Sequence, residues 1–219
     1  MTTFLLIRHA HSTANENGVL AGRVDGVELS EIGKKQSADL LHALSEAKID
    51  RIISSPLKRC VETITPLAKM KKRKIHINRA FIEMDYGTWS GKKLRELSKR
   101  REWKEIQKRP ESFSFPGGEG FSSALQRVEK ELRRLSRIYP RETIVIVTHG
   151  DIIKLALTST SSTPLNYFQK FVIDTCSLSE IAWGVEGRFV IRSNSRLVAN
   201  NGKRKRLKRR RELGGGSGV

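Results

Sequence analysis

Cysteine is scarce in this 219-residue chain. The two present, Cys60 and Cys176, exclude a disulfide-stapled miniprotein and point to a reducing compartment. Long apolar runs are also missing. None approaches the ~20 residues that cross a bilayer, so no transmembrane segment is expected. The opening Met1-Thr-Thr-Phe-Leu-Leu-Ile-Arg8 reaches a charge after four consecutive apolar residues, too few for the apolar region of a secretory signal, and a cytoplasmic location is the expectation. There is no internal repeat. No Cys-x5-Arg loop exists, which excludes a cysteine-phosphatase site. No Asp/Glu/His cluster has the spacing of metal ligands, so neither a metal nor another cofactor is expected. Acidic residues are few: 23 Asp and Glu stand against 42 Lys and Arg, a net charge of +19.

What is there is enough for a core. Hydrophobic residues make up 37%, and a chain of this length buries a large share of its surface on folding, which argues against disorder over its bulk. The basic excess favours anionic ligands: phosphate esters, nucleic acid or an acidic surface. Residues 203–211 carry eight of the cations, yet the rest of the chain stays basic. Residues 1–199 read as one domain. Residues 200–219, a basic run ending in Gly-Gly-Gly-Ser-Gly-Val, read as a flexible tail. Weak contact of residues 203–211 with nucleic acid or an acidic surface is the partner this tail suggests.

Periodicity gives the order of elements. Residues 3–7 read as a buried strand. Residues 29–49 read as a helix with Ser30 as cap and Ala38, Leu41 and Leu44 on its apolar face. Residues 49–54 form a second strand. Ser54-Ser55-Pro56 then reads as a helix start, with Pro66 expected to kink or shorten that helix before Met70. Residues 74–78 form a third strand. A charged helix around 92–108 and a Pro-Gly-Gly turn at 116–118 belong to a partly helical insertion near 86–120. Ala124, Leu125, Val128, Leu132, Leu135 and Ile138 make one stripe on a helix over 121–139. Residues 143–148 are the strongest strand, Gly150 opens a helix through Leu157, and strands follow near 177–183 and 188–193. Strands alternating with helices predict an α/β fold, a three-layer α/β/α arrangement around a mostly parallel central sheet.

Three of these strands end in polar motifs: Arg8-His9-Ala10-His11-Ser12, Ser54-Ser55-Pro56-Leu57-Lys58-Arg59 and Thr148-His149-Gly150. Ligands of open α/β sheets bind beyond the carboxyl ends of strands. If the three strands are neighbours, Arg8, His9, Arg59 and His149 converge on one spot. Guanidinium forks match phosphate oxygens, and the helix starts after Pro56 and at Gly150 add free backbone N–H groups.

Arg8-His9-Ala10-His11-Ser12-Thr13-Ala14-Asn15 resembles the signature of the histidine phosphatase superfamily, the phosphoglycerate-mutase-like fold. The blocks Gly22 to Gln36, Ser54 to Thr63, Glu83 to Gly91 and Val147 to Gly150 are similar to further family motifs, in family order. The resemblance implies a metal-independent phosphomonoesterase that works through a phosphohistidine on a small phosphorylated metabolite. His9 is then the nucleophile and Glu83 the proton donor, with Asp85 as a neighbouring rival. Arg8, Arg59 and a protonated His149 neutralise the phosphoryl oxygens. Asn15, Ser12, Arg23 and Gly150 are expected to contact substrate, although Asn15 also suits a turn and Ser12 and Arg23 also suit loop hydrogen bonding. Ala10 stands where the family usually has Gly, and His11 would add positive charge near the pocket at low pH. Two alternatives stay open: a phosphoglycerate-mutase-type phosphotransferase, and a non-catalytic anion or nucleic-acid binder using the basic tail. His42 and His76 are expected on the surface, Cys60 is expected to be packed rather than reactive, and the cations Lys99, Arg100, Arg101, Lys104, Lys108 and Arg109 are expected to be solvated.

Overall fold

The computed structural model describes residues 1–197. The predicted tail and its basic run at 203–211 lie outside the described residues. One six-stranded sheet organises them, in the order β3-β2-β4-β1-β5-β6. The strands are β1 (Thr2–Arg8), β2 (Arg51–Ser54), β3 (Ile75–Ile77), β4 (Thr143–Thr148), β5 (Ser177–Gly184) and β6 (Gly187–Arg196). The first four run parallel, and β5 and β6 join antiparallel at the β1 edge. The central strands β1 and β4 are almost wholly buried, as strands covered on both faces must be.

The two faces carry separate cores. On one, Leu5, Ile7, Val145 and Val147 pack against α2 (Glu31–Ala43) and α3 (Lys58–Met70). On the other, Phe4, Leu6, Ile144 and Ile146 pack against α6 (Phe121–Ile138) and α7 (Gly150–Thr160). The three-layer α/β/α expectation therefore holds. A short helix α1 (Thr13–Glu16) follows β1, and α4 (Leu94–Leu97) and α5 (Arg101–Lys108) belong to the segment after β3. No helix among the described residues is long and apolar enough to cross a membrane.

Several local expectations need correction. The helix placed over 29–49 ends at Ala43, and its buried residues are Gly33, Ser37 and Leu40; of the expected face, Leu41 and Leu44 do pack into the core, while Ala38 is exposed. Small residues let α2 approach closely: a Cβ on Gly33 would sit 1.9 Å from the His11 carbonyl oxygen. Ser30 does cap α2, accepting from the Gly33 N–H at 3.2 Å. Neither Ser54 nor Ser55 caps α3, whose N-cap is Leu57. Pro66 does not end that helix, because Ile64, Leu67 and Ala68 around it are buried and packing outweighs the proline's local cost. The charged helix expected over 92–108 is broken between Leu97 and Arg101. Ile138, placed on the buried stripe of α6, is half exposed.

Candidate active site

Register decides where the polar motifs meet. Arg8 lies opposite Thr148 across the β1–β4 pairing, and Ser54 lies opposite Val147 across β2–β4. The residues that follow these strands, His9, Ser55 and His149, therefore emerge side by side. His9 is pinned there by its N–H donating to Thr148 O at 2.8 Å. Arg59, on the first turn of α3, reaches the same place. Arg8, His9 and Arg59 line one cleft of about 450 Å³ with Ser12, Asn15, Gly22, Glu83, Gly150 and Asp151, and His149 is buried against Arg59 and His9.

The tautomers follow from the partners. His9 Nδ1 is 2.8 Å from Ala10 O, and a carbonyl oxygen only accepts, so Nδ1 carries the proton and the Nε2 lone pair is free. Arg59 Nη2 lies 3.2 Å from His149 Nδ1. A guanidinium only donates, so Nδ1 is bare, and Nε2–H donates to Ser55 Oγ at 2.8 Å. The two rings meet edge to face with centroids 5.3 Å apart. Burial among Arg59, His9, Arg8 and Arg127 holds His149 well below the ordinary histidine range, and burial with Arg59 and Arg8 does the same for His9. In the free site both rings are neutral. The protonated His149 expected for phosphoryl binding is therefore not the state of the free site.

The positive charge belongs to the arginines, and it is not fully satisfied. Arg8 Nη1 donates to Ile173 O at 2.7 Å and Arg59 Nη2 to Gly22 O at 2.8 Å. Arg8 Nε and both Nε and Nη1 of Arg59 are buried with no protein partner. Arg59 is 2% exposed. Buried charged donors without acceptors are costly, and Arg8 and Arg59 line the same cleft as His9, an arrangement suited to a tetrahedral oxyanion. The first turn of α7, opened by Gly150, adds unpaired N–H groups and the positive end of a helix dipole.

Glu83 lies against His149 in the same cluster. Its Oε2 sits 3.7 Å from His149 Nδ1, and its Oε1 accepts from the Met84 N–H at 3.0 Å. Burial, then the Asp151 carboxylate, push its pKa up to about 7 against the opposing pull of Arg59 and Arg8. Burial wins, so Glu83 keeps a proton near neutral pH.

The other expected residues divide. Asn15 lines the cleft, but its Oδ1 accepts from Ser12 N and Ser12 Oγ in a capping box on α1. Arg23 is not among the cleft's lining residues: its three nitrogens are taken by Glu83 O, Asp85 and Glu119. Asp85 is bound up in that same network, away from His149. His11 turns to Ser30, with Nδ1 2.8 Å from its Oγ, rather than to the cleft. Ala10 is buried and is not among the residues with positive φ, so its methyl group costs no backbone strain. Cys60 is fully buried with its thiol pushed up to about 12 by desolvation, a packed and unreactive side chain. His42, His76 and the Lys99–Arg109 cations are exposed.

Some contributors were not singled out from the sequence. Ser55 fixes the His149 tautomer. Asp151 accepts from Tyr86 Oη at 2.9 Å. Cys176, at φ 57°, gives its N–H to the carbonyls of Arg8 and His9 and so secures the end of β1. Asp151 alone had a cue, as the polar residue directly after His149-Gly150.

The model of the histidine phosphatase superfamily (branch 1) matches residues 4–196. The chain belongs to that family. It is a phosphoric monoester hydrolase, a phosphomonoesterase of the phosphohistidine type. Phosphoserine phosphatase 1 of Hydrogenobacter thermophilus is 33% identical over 83% of this chain and 86% of its own length. The adenosylcobalamin/alpha-ribazole phosphatase of Escherichia coli is 26% identical over 77% of this chain and 84% of its own. Among solved structures, phosphoserine phosphatase from Entamoeba histolytica, in complex with 3-phosphoglyceric acid, superposes with a TM-score of 0.81 at 24% identity, covering 89% of this chain and 98% of that one, a likeness of fold.

Histidine NMR tests the electrostatics. The His9 and His149 rings keep neutral signatures at pH 6, each with its proton on the nitrogen named above; a charged ring at that pH in the free protein contradicts the assignment.

Proposed function

We propose that the chain hydrolyses a small phosphorylated metabolite with His9 as nucleophile and Glu83 as proton donor. The observation that carries the reading is that Arg8 and Arg59, with three guanidinium nitrogens no protein acceptor reaches, line the same cleft as His9 and Glu83. A phosphate dianion repels nucleophiles, so its oxygens must be neutralised before attack. Arg8, Arg59 and the first N–H groups of α7 supply that neutralisation.

The His9 Nε2 lone pair forms the bond to phosphorus as the ester P–O bond breaks. An alkoxide leaves poorly, and the protonated Glu83 gives its proton to the departing oxygen. The resulting carboxylate then takes a proton from water, the water oxygen attacks phosphorus, and the P–N bond breaks to release inorganic phosphate and regenerate both groups. His149 begins neutral. The incoming dianion raises its proton affinity, with Nε2–H held on Ser55 while Nδ1 faces the phosphoryl group.

Beyond the phosphate the cleft is lined by Leu20, Leu94, Trp103 and Phe171, with Gln107, Lys154 and Gln169 among them. This mixed wall suits a leaving group of metabolite size.

Turnover of a phosphomonoester panel without added metal tests the reading. Acid-labile phosphate is trapped on the wild type, and His9→Ala abolishes both turnover and trapping. Normal turnover by His9→Ala overturns the nucleophile, and dependence on a bisphosphate primer with little phosphate release establishes the mutase alternative instead.

A pH series adds a second test. The proton-donor step needs Glu83 protonated, so kcat/KM on an alkyl phosphate falls as pH rises through about 7. An activity that climbs through that range assigns the donor elsewhere.

A further inference from the structure

Glu83 stands in an irregular stretch between two 3-10 turns, Arg79–Phe81 and Gly87–Trp89. No strand ladder or helix fixes its backbone. Its neighbours' backbone groups are instead held from three directions. Arg23, on the loop after α1, donates from Nε to Glu83 O at 2.9 Å. Arg127, on α6, donates from Nη1 to Ala80 O at 2.6 Å and Ile82 O at 3.1 Å. Glu119, just after the Pro-Gly-Gly turn, uses one oxygen for three donors: Arg127 Nη2 at 2.7 Å, Arg23 Nη2 at 3.1 Å and the Asp85 N–H at 3.1 Å.

We propose that Glu119, acting through Arg23 and Arg127, is a positioning residue that sets the place of Glu83 as proton donor. The inference rests on the assignment of that role to Glu83. Glu119 is the keystone because both guanidinium groups and the backbone of residue 85 converge on its Oε1. The three side chains are 18 to 30% exposed. At such partly shielded sites a network of charged hydrogen bonds is less screened than isolated surface pairs.

The turn that delivers Glu119 is built for contact with this stretch. A Cβ on Gly118 would lie 2.2 Å from Asp85 O, and one on Gly87 would lie 2.1 Å from Pro116 O. Only glycine lets the two backbones approach so closely. The Glu119 N–H then donates to Asp85 O at 2.9 Å.

A proton donor misplaced by a fraction of an ångström loses much of its effect, but only where the leaving group needs a proton. A phenolate leaves without one. The experiment therefore measures kcat/KM for glycerol 2-phosphate and for p-nitrophenyl phosphate in wild type, Glu119→Gln and Glu83→Gln, with thermal midpoints alongside. Because kcat/KM reports the steps up to phosphorylation of His9, the later hydrolysis does not mask the difference.

Glu119→Gln is expected to lose about 100-fold on the alkyl ester and less than about fivefold on the aryl ester, and Glu83→Gln shows the same contrast more strongly. Equal losses on both esters in Glu119→Gln, or full alkyl activity, overturn the positioning role while leaving Glu83 in place. No contrast in Glu83→Gln itself overturns the donor assignment and the clamp with it. If Glu119→Gln does not fold, Arg23→Gln removes the bond to Glu83 O while sparing the Arg127–Glu119 pair, and the same contrast is read there.

Discussion

The Arg59 guanidinium sits in the protein interior, with half-buried Arg8 beside it in the cleft, and each has donors that no protein acceptor reaches. Taking such a charge out of water costs several kcal/mol, and the fold returns only part of that through Gly22 O, Ile173 O and the bare nitrogen of His149. The uncompensated remainder is what a phosphate group supplies when it enters. Much of the architecture serves this arrangement. Parallel pairing of β1, β4 and β2 brings three strand ends together, α2 and α3 close one side, and the segment carrying α4 and α5 walls the cleft above it.

The same field sets the protonation states. Next to buried arginines a histidine loses its charge, so His9 offers a lone pair and His149 a bare Nδ1. A carboxyl in that field would ordinarily ionise more readily. Glu83 does not, because it is buried and shares its surroundings with Asp151. One cluster thus holds a neutral nucleophile and a protonated acid at neutral pH, the pairing that cleavage of an alkyl phosphate requires.

The parts of the site legible in the sequence were those set by strand ends. Arg8, His9, Arg59 and His149 each follow or closely trail a short apolar run, and the right-handed, parallel logic of α/β folds places such residues together. The layers were legible for the same reason, whereas the order of strands in the sheet came only with the structure. What was hidden depends on direction rather than position. Arg23 stands in a family-like block, yet whether a long side chain turns to a cleft or to three protein acceptors is set by partners distant in sequence. The lowered proton affinity of His149 in the free site was hidden because a motif carries no measure of burial. The buried face of α2 was only half read, through Leu41 and Leu44, because Gly33 and Ser37 pack by being small, which hydrophobic periodicity does not register. Ser55 was taken for a helix cap, a fair local expectation, until the ring of His149 claimed its hydroxyl.

The central claim is that the buried charge of Arg59 is held in reserve for the phosphoryl oxygens. Orthovanadate affinity and thermal midpoint, measured together for wild type and Arg59→Met, test it most directly. The account predicts that affinity falls about 100-fold or more while the free protein melts no lower, since a costly unpaired charge has been replaced by an apolar chain of similar length. Undiminished vanadate binding in Arg59→Met would contradict it.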